Sequence, residues 1–246
     1  MIVYRCDNTF EGVLTSVFEA FRLKENPEII TSGCYEQTQL GAVERTIITD
    51  PEKSDRVYQG IAGKISEDAL EQMYSAWLSE ETCVPTLILK AVREGFRVGG
   101  SVMRELQNPD ILQLHSYSRR VMKEVHLFLG LLRFKKTANG IYYAGYEPDS
   151  NITELITPHF VERFSDQIFF IHDISRKICA VHQEGNFYMT DVSDGFEKEM
   201  DRSDVYQEKL WQEYFRTAAV KDRLNAKNQK SFMPVRYWKH LVEKNP

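Results

Sequence analysis

The chain has 246 residues, of which 42% are hydrophobic and 27% charged, and its formal net charge is −5 at pH 7. These proportions are typical of a soluble globular protein, and no run approaches the roughly 18 consecutive apolar residues of a membrane span. The first ten residues also lack the basic and apolar regions of a secretory signal, so the sequence predicts a cytoplasmic protein with no membrane partner.

The first eighty residues predict a small α+β unit, because short β-branched runs alternate with apolar residues at helical spacing. Asp7 or Asn8 is the expected cap of the first helix, and Ser66 that of the second. Residues 28–64 look irregular apart from one alternating run. The predicted elements, in chain order, are a strand at Ile2–Cys6, a helix at Phe10–Lys24, a strand at Glu44–Thr49 and a helix at Glu67–Leu78.

The chain from Thr86 to Phe134 reads as mostly helical, and the hydrophobic period then changes from about 3.6 to about 2. Asn139-Gly140 is the expected turn of a β-hairpin. The predicted elements are helices at Thr86–Val98, Ser101–Leu106 and Asp110–Leu132, hairpin strands at Leu132–Lys136 and Ile141–Tyr146, a helix at Ile152–Phe164, strands at Gln167–His172, Lys177–Gln183 and Phe187–Asp191, a helix over 201–226 and a last helix from Pro234.

Together these elements predict an α+β fold. A small N-terminal α+β unit at 1–84 is followed by a helix-rich domain at 85–246, with a helical segment, an antiparallel meander and basic C-terminal helices. One continuous domain is the alternative, because the boundary at residues 80–85 rests only on two glutamates and a proline.

Basic residues are concentrated in two parts of this acidic chain. Residues 85–136 contain ten Lys or Arg against four Asp or Glu, and residues 211–246 contain eight against three. Such local concentrations attract polyanions whatever the sign of the net charge. We therefore predict a basic surface, and one shared face if the fold brings the two segments together.

Three groups of residues supply this predicted nucleic-acid-binding surface. Arg and Lys side chains hold phosphates, and Tyr and Trp rings can stack on bases. Arg93 and Arg97 form the first group, and with the bare backbone amides of Gly99 and Gly100 they could form an anion pocket. The alternative at this position is a solvated helix face with a glycine C-cap. The groups are Arg93 with Arg97; Arg119, Arg120 and Lys123 on the long helix, where His115, Arg119, Lys123 and His126 share one stripe; and Arg236, Tyr237, Trp238 and Lys239 near the C-terminus.

The last helix has a predicted orientation of its own. Arg236 and His240 are four residues apart and are expected to face outward. Tyr237 and Leu241 are expected to be buried anchors, because large aromatic and aliphatic side chains bury most of their surface. Trp238 has two interpretations, a core residue or a stacking surface.

A catalytic site is a separate hypothesis. His172 and Asp173 end one predicted strand and His182 lies on the next, so hairpin pairing could bring two imidazoles and a carboxylate together. A turn-initiating role for Asp173 is the structural alternative. The four cysteines (Cys6, Cys34, Cys83 and Cys179) are isolated, and no phosphate-binding, dinucleotide or zinc-protease motif occurs. The sequence thus predicts no metal and no cofactor.

Three segments of the sequence are distinctive: FEGVLTSVFEAF, VREGFRVGG and above all FMPVRYWKHL at residues 232–241. Through these segments the chain resembles a family of bacterial DNA metabolism proteins that contain an uncharacterised domain. The resemblance implies a role linked to DNA repair or modification, alongside a radical-SAM protein encoded nearby. Some members are fused to a uracil-DNA-glycosylase-like domain, which this sequence does not show.

Three functional hypotheses follow, and the sequence does not decide whether the protein is an enzyme. The leading one is an accessory protein of DNA metabolism that binds nucleic acid through its basic face and works with the radical-SAM partner. The second is a base- or nucleotide-processing hydrolase that uses His172, Asp173 or His182. The third is a scaffold whose basic face docks on an acidic surface of the partner enzyme.

Overall fold

The computed structural model describes residues 1–32, 41–137, 140–200, 230, 232–241 and 244. They form two compact units, Met1–Met122 and Lys123–Pro246. Both units contain helices and a sheet, which confirms the predicted α+β class. The proposed domain division at residue 84 stays a prediction; the packing places the helix that follows this position in the first unit.

The first unit is built on a three-stranded parallel sheet in the order β2-β1-β3. Tyr4 at its centre pairs with Ile30 on one side and with Arg45 on the other. Parallel strands need a crossover connection, which the helix at Phe10–Arg22 supplies between Ile2–Cys6 and Ile29–Ser32. The elements are β1 (Ile2–Cys6), α1 (Phe10–Arg22), β2 (Ile29–Ser32), β3 (Val43–Thr46), α2 (Pro51–Lys64), α3 (Glu67–Trp77), α4 (Val84–Val98), a 3₁₀ helix (Val102–Arg104) and the long α5 (Pro109–Leu131), which continues into the second unit.

Side-chain caps fix where these helices begin. The Thr9 hydroxyl accepts from the Gly12 amide at 3.0 Å, so Thr9 caps α1 rather than the predicted Asp7 or Asn8. Ser66 caps α3 as predicted, through the Ala69 amide at 3.1 Å. Each cap satisfies a backbone donor that the first helical turn leaves free.

One apolar core holds the first unit together. It includes Tyr4 of β1, Leu14 of α1, Ile61 of α2, Met73 of α3 and Ile88 of α4, all of which are fully or nearly fully buried. Because α4 supplies core residues to the same cluster as β1 and α1, the first unit extends well beyond residue 84.

The second unit contains a five-stranded sheet in the order β4-β5-β6-β7-β8. Strands β5 and β6 are parallel, and the other neighbours are antiparallel. The predicted antiparallel meander is confirmed for β6, β7 and β8. The β5–β6 pair is parallel because α6 lies between the two strands in the chain and returns the chain to the end of the sheet at which β5 begins. The elements are β4 (Lys135–Lys136), β5 (Tyr142–Tyr146), α6 (Thr153–Arg163), β6 (Phe169–Asp173), β7 (Ile178–Gln183), β8 (Asn186–Asp191), α7 (Phe196–Met200) and a second 3₁₀ helix (Val235–His240).

Residues 28–64 are the clearest correction to the predicted elements. The sequence left this stretch irregular, but it contains the buried strand β2 and the fourteen-residue helix α2. The predicted strand at Glu44–Thr49 is the shorter β3, and the last helix is of the 3₁₀ type. The predicted helix over 201–226 lies outside the described residues.

Among the described residues, no helix combines the length and the apolar character needed to cross a membrane.

Gly99 at the end of α4 gives a test of the local backbone. Its φ of 80° and ψ of −156° fall in a region that only glycine adopts without strain. Gly99→Ala should therefore lower the free energy of unfolding by about 1–3 kcal/mol. The matched control is Gly63→Ala in α2, where an added methyl meets nothing within 4 Å and should stabilise by about 0.5–1 kcal/mol. Urea unfolding of both variants checks the opposite signs; equal effects would contradict this explanation.

Candidate functional site

The first pair of predicted phosphate ligands, Arg93 and Arg97, projects from α4 into different surroundings. Arg93 donates to the Asn26 side-chain carbonyl and, at 2.5 Å, to the Glu25 backbone carbonyl. Arg97 is exposed and pairs with Glu94 one turn earlier. Within the described part of the chain, Arg93 thus keeps a charge that no carboxylate neutralises, whereas Arg97 is neutralised within its own helix.

The glycine pair beside these arginines does not form the expected anion pocket. The Gly99 amide donates to the Gly95 carbonyl at 2.7 Å and so closes the last turn of α4. Gly100 lies against the backbone of Ile65, where an added Cβ would stand 2.7 Å from the carbonyl oxygen. The glycine C-cap given as the alternative describes this site.

The second group lies along α5. Arg119, Lys123 and His126 are exposed at helical spacing, and His115 is half-buried with Nδ1 3.2 Å from the Gln72 side-chain carbonyl. No ion pair engages Arg119 or Lys123 among the described residues. These two side chains are the predicted ligands whose charge is least compensated.

The carboxylates of α5 do not oppose this stripe. Asp110 at the start of the helix binds Lys90 at 2.8 Å, and Glu124 is buried. Arg120, the third predicted ligand on the helix, pairs with Glu81 at 2.6 Å. The exposed surface of α5 therefore carries positive charge through Arg119 and Lys123, while Arg120 is already engaged.

The C-terminal group is held by an acidic loop, residues 147–150. Arg236 pairs with Asp149 at 2.7 Å, and Lys239 pairs with Glu147. Tyr237 is only 2% exposed, as predicted for an anchor, and its ring does not face solvent. Two of the predicted phosphate ligands thus bind carboxylates of the same unit, and Tyr237 presents no stacking surface.

A buried carboxylate, Glu124, organises this region. It accepts hydrogen bonds from the Asp149 amide at 2.7 Å, the Ser150 amide at 2.9 Å and the Tyr237 hydroxyl at 2.6 Å. Burial, followed by the hydrogen bond to Glu124, raises the pKa of the Tyr237 phenol. Tyr237 therefore stays protonated as the donor, and the contact ties the 3₁₀ helix to α5 and to the acidic loop.

His240 departs from its expected outward orientation, and Trp238 is half-buried. His240 is half-buried, with Nε2 3.8 Å from Glu147, and its pKa is lowered to about 4 by burial and then by the neighbouring Lys239 and Lys135. Trp238 donates from Nε1 to the Met233 carbonyl at 2.8 Å, and the Lys244 ammonium lies 4.5 Å from its ring centroid. A stacking role for the half-buried Trp238 stays a prediction.

The three candidate catalytic groups do not converge. In the β6–β7 pair, His172 lies opposite Cys179, whereas His182 lies opposite Phe169. Side chains alternate along a strand, so the two imidazoles point to opposite faces of the sheet. Asp173 lies on the same face of the sheet as His182. It is four residues along β6 from Phe169, the residue opposite His182, and this separation is about 13 Å along the strand. The convergence that the hydrolase hypothesis requires is not formed.

Each of the three groups has a structural partner instead. The Asp173 carboxylate accepts from the Arg176 amide at 3.1 Å and from its guanidinium at 2.9 Å, which supports the turn-initiating interpretation. His182 stacks on Phe169 with the ring centroids 4.6 Å apart. His172 shares a hydrogen bond with Tyr143, whose hydroxyl lies 2.7 Å from His172 Nδ1.

The surroundings of His172 give no sign of an activated thiol or base. Burial lowers the pKa of His172, and burial also raises the pKa of the facing Cys179 thiol to about 12. A thiol in this state is protonated at neutral pH and is a poor nucleophile. In the described residues, no group of three or more His, Cys, Asp or Glu side chains is placed to hold a metal ion.

The sequence missed Glu124, which accepts three hydrogen bonds in the C-terminal region. Its one available signal was a single carboxylate within the basic stretch Arg119 to His126, on the apolar side of the helix with Val121 and Val125. A carboxylate at a buried position needs donors to compensate its desolvation. The identity of those donors, 25 to 113 residues away, is not visible in the sequence.

Comparison with known proteins places the chain in a family without assigning it an activity. A family model described as a domain of unknown function, DUF4130, matches residues 83–243, more than half of the chain. The comparison with curated proteins gave no match. The matched region contains α5, the acidic loop and the C-terminal 3₁₀ helix. The chain therefore belongs to the DUF4130 family.

Proposed function

We propose that the protein is an accessory protein of DNA metabolism, acting in repair or modification, that binds nucleic acid through the exposed basic surface of α5. The observation that carries this proposal is the pair Arg119 and Lys123, exposed one turn apart with no ion pair among the described residues. Cations with free charge release condensed counterions when they meet phosphates, which is the main source of sequence-independent affinity.

The other predicted ligands have a secondary part in this proposal. Arg120, Arg236 and Lys239 are bound by carboxylates, so contact with a phosphate requires exchange of one anion for another. Such exchange returns little net electrostatic energy, because the phosphate replaces an interaction that already exists. The α5 cations Arg119 and Lys123 are therefore expected to contribute more to the salt dependence of binding than Arg120, Arg236 and Lys239.

The proposed partner is the radical-SAM protein that the family resemblance implies, and a fusion partner related to uracil-DNA glycosylase would fit the same role. The hydrolase alternative has lost its geometric support, because His172 and His182 face opposite ways. Co-expression with the neighbouring radical-SAM protein, followed by affinity purification with and without nuclease, tests the partner. Association that persists after nuclease treatment without any DNA binding by the isolated chain would favour the scaffold hypothesis.

DNA binding is tested by fluorescence anisotropy with labelled single- and double-stranded DNA over a salt series. The double variant Arg119→Gln/Lys123→Gln should weaken binding and reduce the magnitude of the slope of log K against log salt by about 2. The matched control, Arg56→Gln/Arg163→Gln, removes two charges from exposed helix positions, where the guanidiniums lie over the rings of Phe18 and Phe164. We expect the control to keep the wild-type slope. Absence of binding at low salt, or binding insensitive to salt, would overturn the proposal.

A further inference from the structure

Two phenylalanines of the first unit form an exposed aromatic pair. Phe21 of α1 is 42% exposed and Phe96 of α4 is 41% exposed. Their ring centroids lie 5.7 Å apart with an interplanar angle of 62°. Single exposed apolar side chains are common on proteins, but adjoining large rings that stay open to solvent are a feature of interaction surfaces.

The pair is held in place by the helices around it. Phe96 lies across Gly60 of α2, whose added Cβ would stand 3.5 Å from the ring. An added Cβ at this distance would be in ordinary van der Waals contact with the ring, so the Phe96 ring packs directly over the Gly60 position of α2. The rings therefore form a supported platform where α1, α2 and α4 meet.

Two cations flank the platform. The Arg93 guanidinium lies 5.8 Å from the Phe21 ring centroid, and the Lys64 ammonium lies 5.9 Å from that of Phe96. Arg93 donates hydrogen bonds to two uncharged oxygens, the side-chain carbonyl of Asn26 and the backbone carbonyl of Glu25. In the described part of the chain, no carboxylate pairs with Lys64. Both charges are therefore available to an anion beside the rings.

The carboxylates that adjoin Arg93 in the structure are already occupied. The Glu25 carboxylate binds Arg45 and accepts from Tyr4, and Glu94 binds Arg97. These pairs lower the pKa of both glutamates, with the arginine contact as the leading cause in each. The platform thus combines apolar rings with uncompensated positive charge, a combination that suits a nucleotide better than an apolar protein surface.

We propose that this aromatic platform, Phe21 and Phe96 with Arg93 and Lys64, binds an unpaired base of single-stranded DNA. The base packs on the exposed rings, and the two cations contact the flanking phosphates. Stacking on an aromatic side chain is tolerant of base identity, because every base has a π-face. The inference rests on the proposed nucleic-acid role and adds to it a preference for unpaired nucleotides.

The test compares three labelled DNA molecules of equal length by anisotropy: a single strand, the same strand with abasic tetrahydrofuran sites, and a duplex. The wild-type chain should bind the base-bearing strand about 5- to 100-fold more tightly than the abasic strand. Phe21→Leu/Phe96→Leu should abolish that ratio and leave the salt slope unchanged, because it removes the π-faces but no charge. Circular dichroism and thermal melting establish that this variant is folded.

A second variant separates stacking from charge and does not depend on the phenylalanine replacements. Arg93→Gln/Lys64→Gln should reduce the magnitude of the salt slope by about 2 while the base-bearing strand keeps its advantage over the abasic strand. An unchanged strand ratio in the folded phenylalanine variant would overturn the stacking inference while the proposed function stands. Failure of the wild-type chain to bind any of the three molecules would overturn both. Loss of the radical-SAM partner by the phenylalanine variant, with unchanged DNA binding, would identify the platform as a protein-docking surface and also overturn the inference.

Discussion

Glu124→Ala should lower the free energy of unfolding by about 3–5 kcal/mol and release the C-terminal 3₁₀ helix. Glu124 is 4% exposed and accepts hydrogen bonds from three donors: the amides of Asp149 and Ser150 and the Tyr237 hydroxyl. Removing the carboxylate leaves these groups without their acceptor, and the bonds to Ser150 and Tyr237 are buried, where each unsatisfied donor costs about 1–3 kcal/mol.

The consequence extends beyond the lost hydrogen bonds. Tyr237 also packs against Phe128 with ring centroids 4.7 Å apart, so the aromatic anchor and the polar anchor are the same side chain. Arg236 donates to the Tyr237 hydroxyl at 2.9 Å and pairs with Asp149 of the acidic loop. We therefore expect the loop and the 3₁₀ helix to loosen together when Glu124 is removed.

Urea unfolding followed by circular dichroism measures the change, and limited proteolysis reports release of the C-terminal segment. Tyr237→Phe removes one donor and keeps the ring, so a double-mutant cycle with Glu124→Ala should give a coupling of about 1–2 kcal/mol. The matched control is Glu162→Ala, an exposed glutamate of α6, which should change stability by less than about 0.5 kcal/mol. A Glu124→Ala variant as stable as this control, or an additive cycle, would contradict the anchoring role.

The elements that the sequence predicted correctly are those with a strong hydrophobic period. Strand β1 has the predicted bounds, and α1 carries Phe10, Val13, Leu14 and Val17 on its buried face, which is the stripe from which it was predicted. Helix α5 and strands β5 to β8 were likewise found within one or two residues of their predicted bounds, whereas β4 begins three residues later than predicted. In these segments local pattern and tertiary burial agree, so either is sufficient to identify the element.

Helix α2 was missed because its apolar stripe is narrow. Only Ser54, Val57 and Ile61 of its fourteen residues are buried, so the periodicity that predicts a helix is faint. The usable signal was at its start, where the Asp50 side chain accepts from the amides of Glu52 and Lys53 and Pro51 fills the first turn. Strand β2 was missed because four residues are too few to establish an alternating pattern.

The candidate site was less predictable than the fold because it depends on pairing across the chain. The burial of Tyr237 followed from its size, but its acceptor lies 113 residues earlier in the sequence. The outward orientation expected of Arg236 was correct in exposure, yet the carboxylate of Asp149 that neutralises it belongs to a loop with no periodic signal. The opposite faces of His172 and His182 follow from the register of β6 against β7, which pattern alone does not set.

His240 predicts a pH dependence of stability in the neutral to mildly acidic range. Its pKa is lowered from 6.5 to about 4 in the folded chain by burial, and then by the charges of Lys239 and Lys135. Glu147, 3.8 Å from Nε2, would favour the imidazolium, but Lys239 already engages that carboxylate. The unfolded chain therefore takes up the proton first as the pH falls.

The sign follows from this difference in proton binding. Stability is full above the unfolded pKa of 6.5 and is lost as the pH falls towards about 4, because protonation then stabilises only the unfolded chain. The loss should amount to about 2 kcal/mol between about pH 7 and about pH 5. Burial also lowers the pKa of His172, which adds a loss of the same sign that does not depend on His240.

His240→Gln isolates the contribution of His240, because the amide is neutral throughout this range and the His172 contribution is common to both proteins. Urea unfolding at several pH values should show a shallower decline for His240→Gln than for the wild type, with the two curves separating by about 2 kcal/mol at about pH 5 relative to about pH 7. Lys135→Gln should give an intermediate slope, because it removes one of the two charges that oppose protonation. Parallel curves for the wild type and His240→Gln would show that His240 is not held neutral by the fold, and that the C-terminal 3₁₀ helix does not bury it in solution.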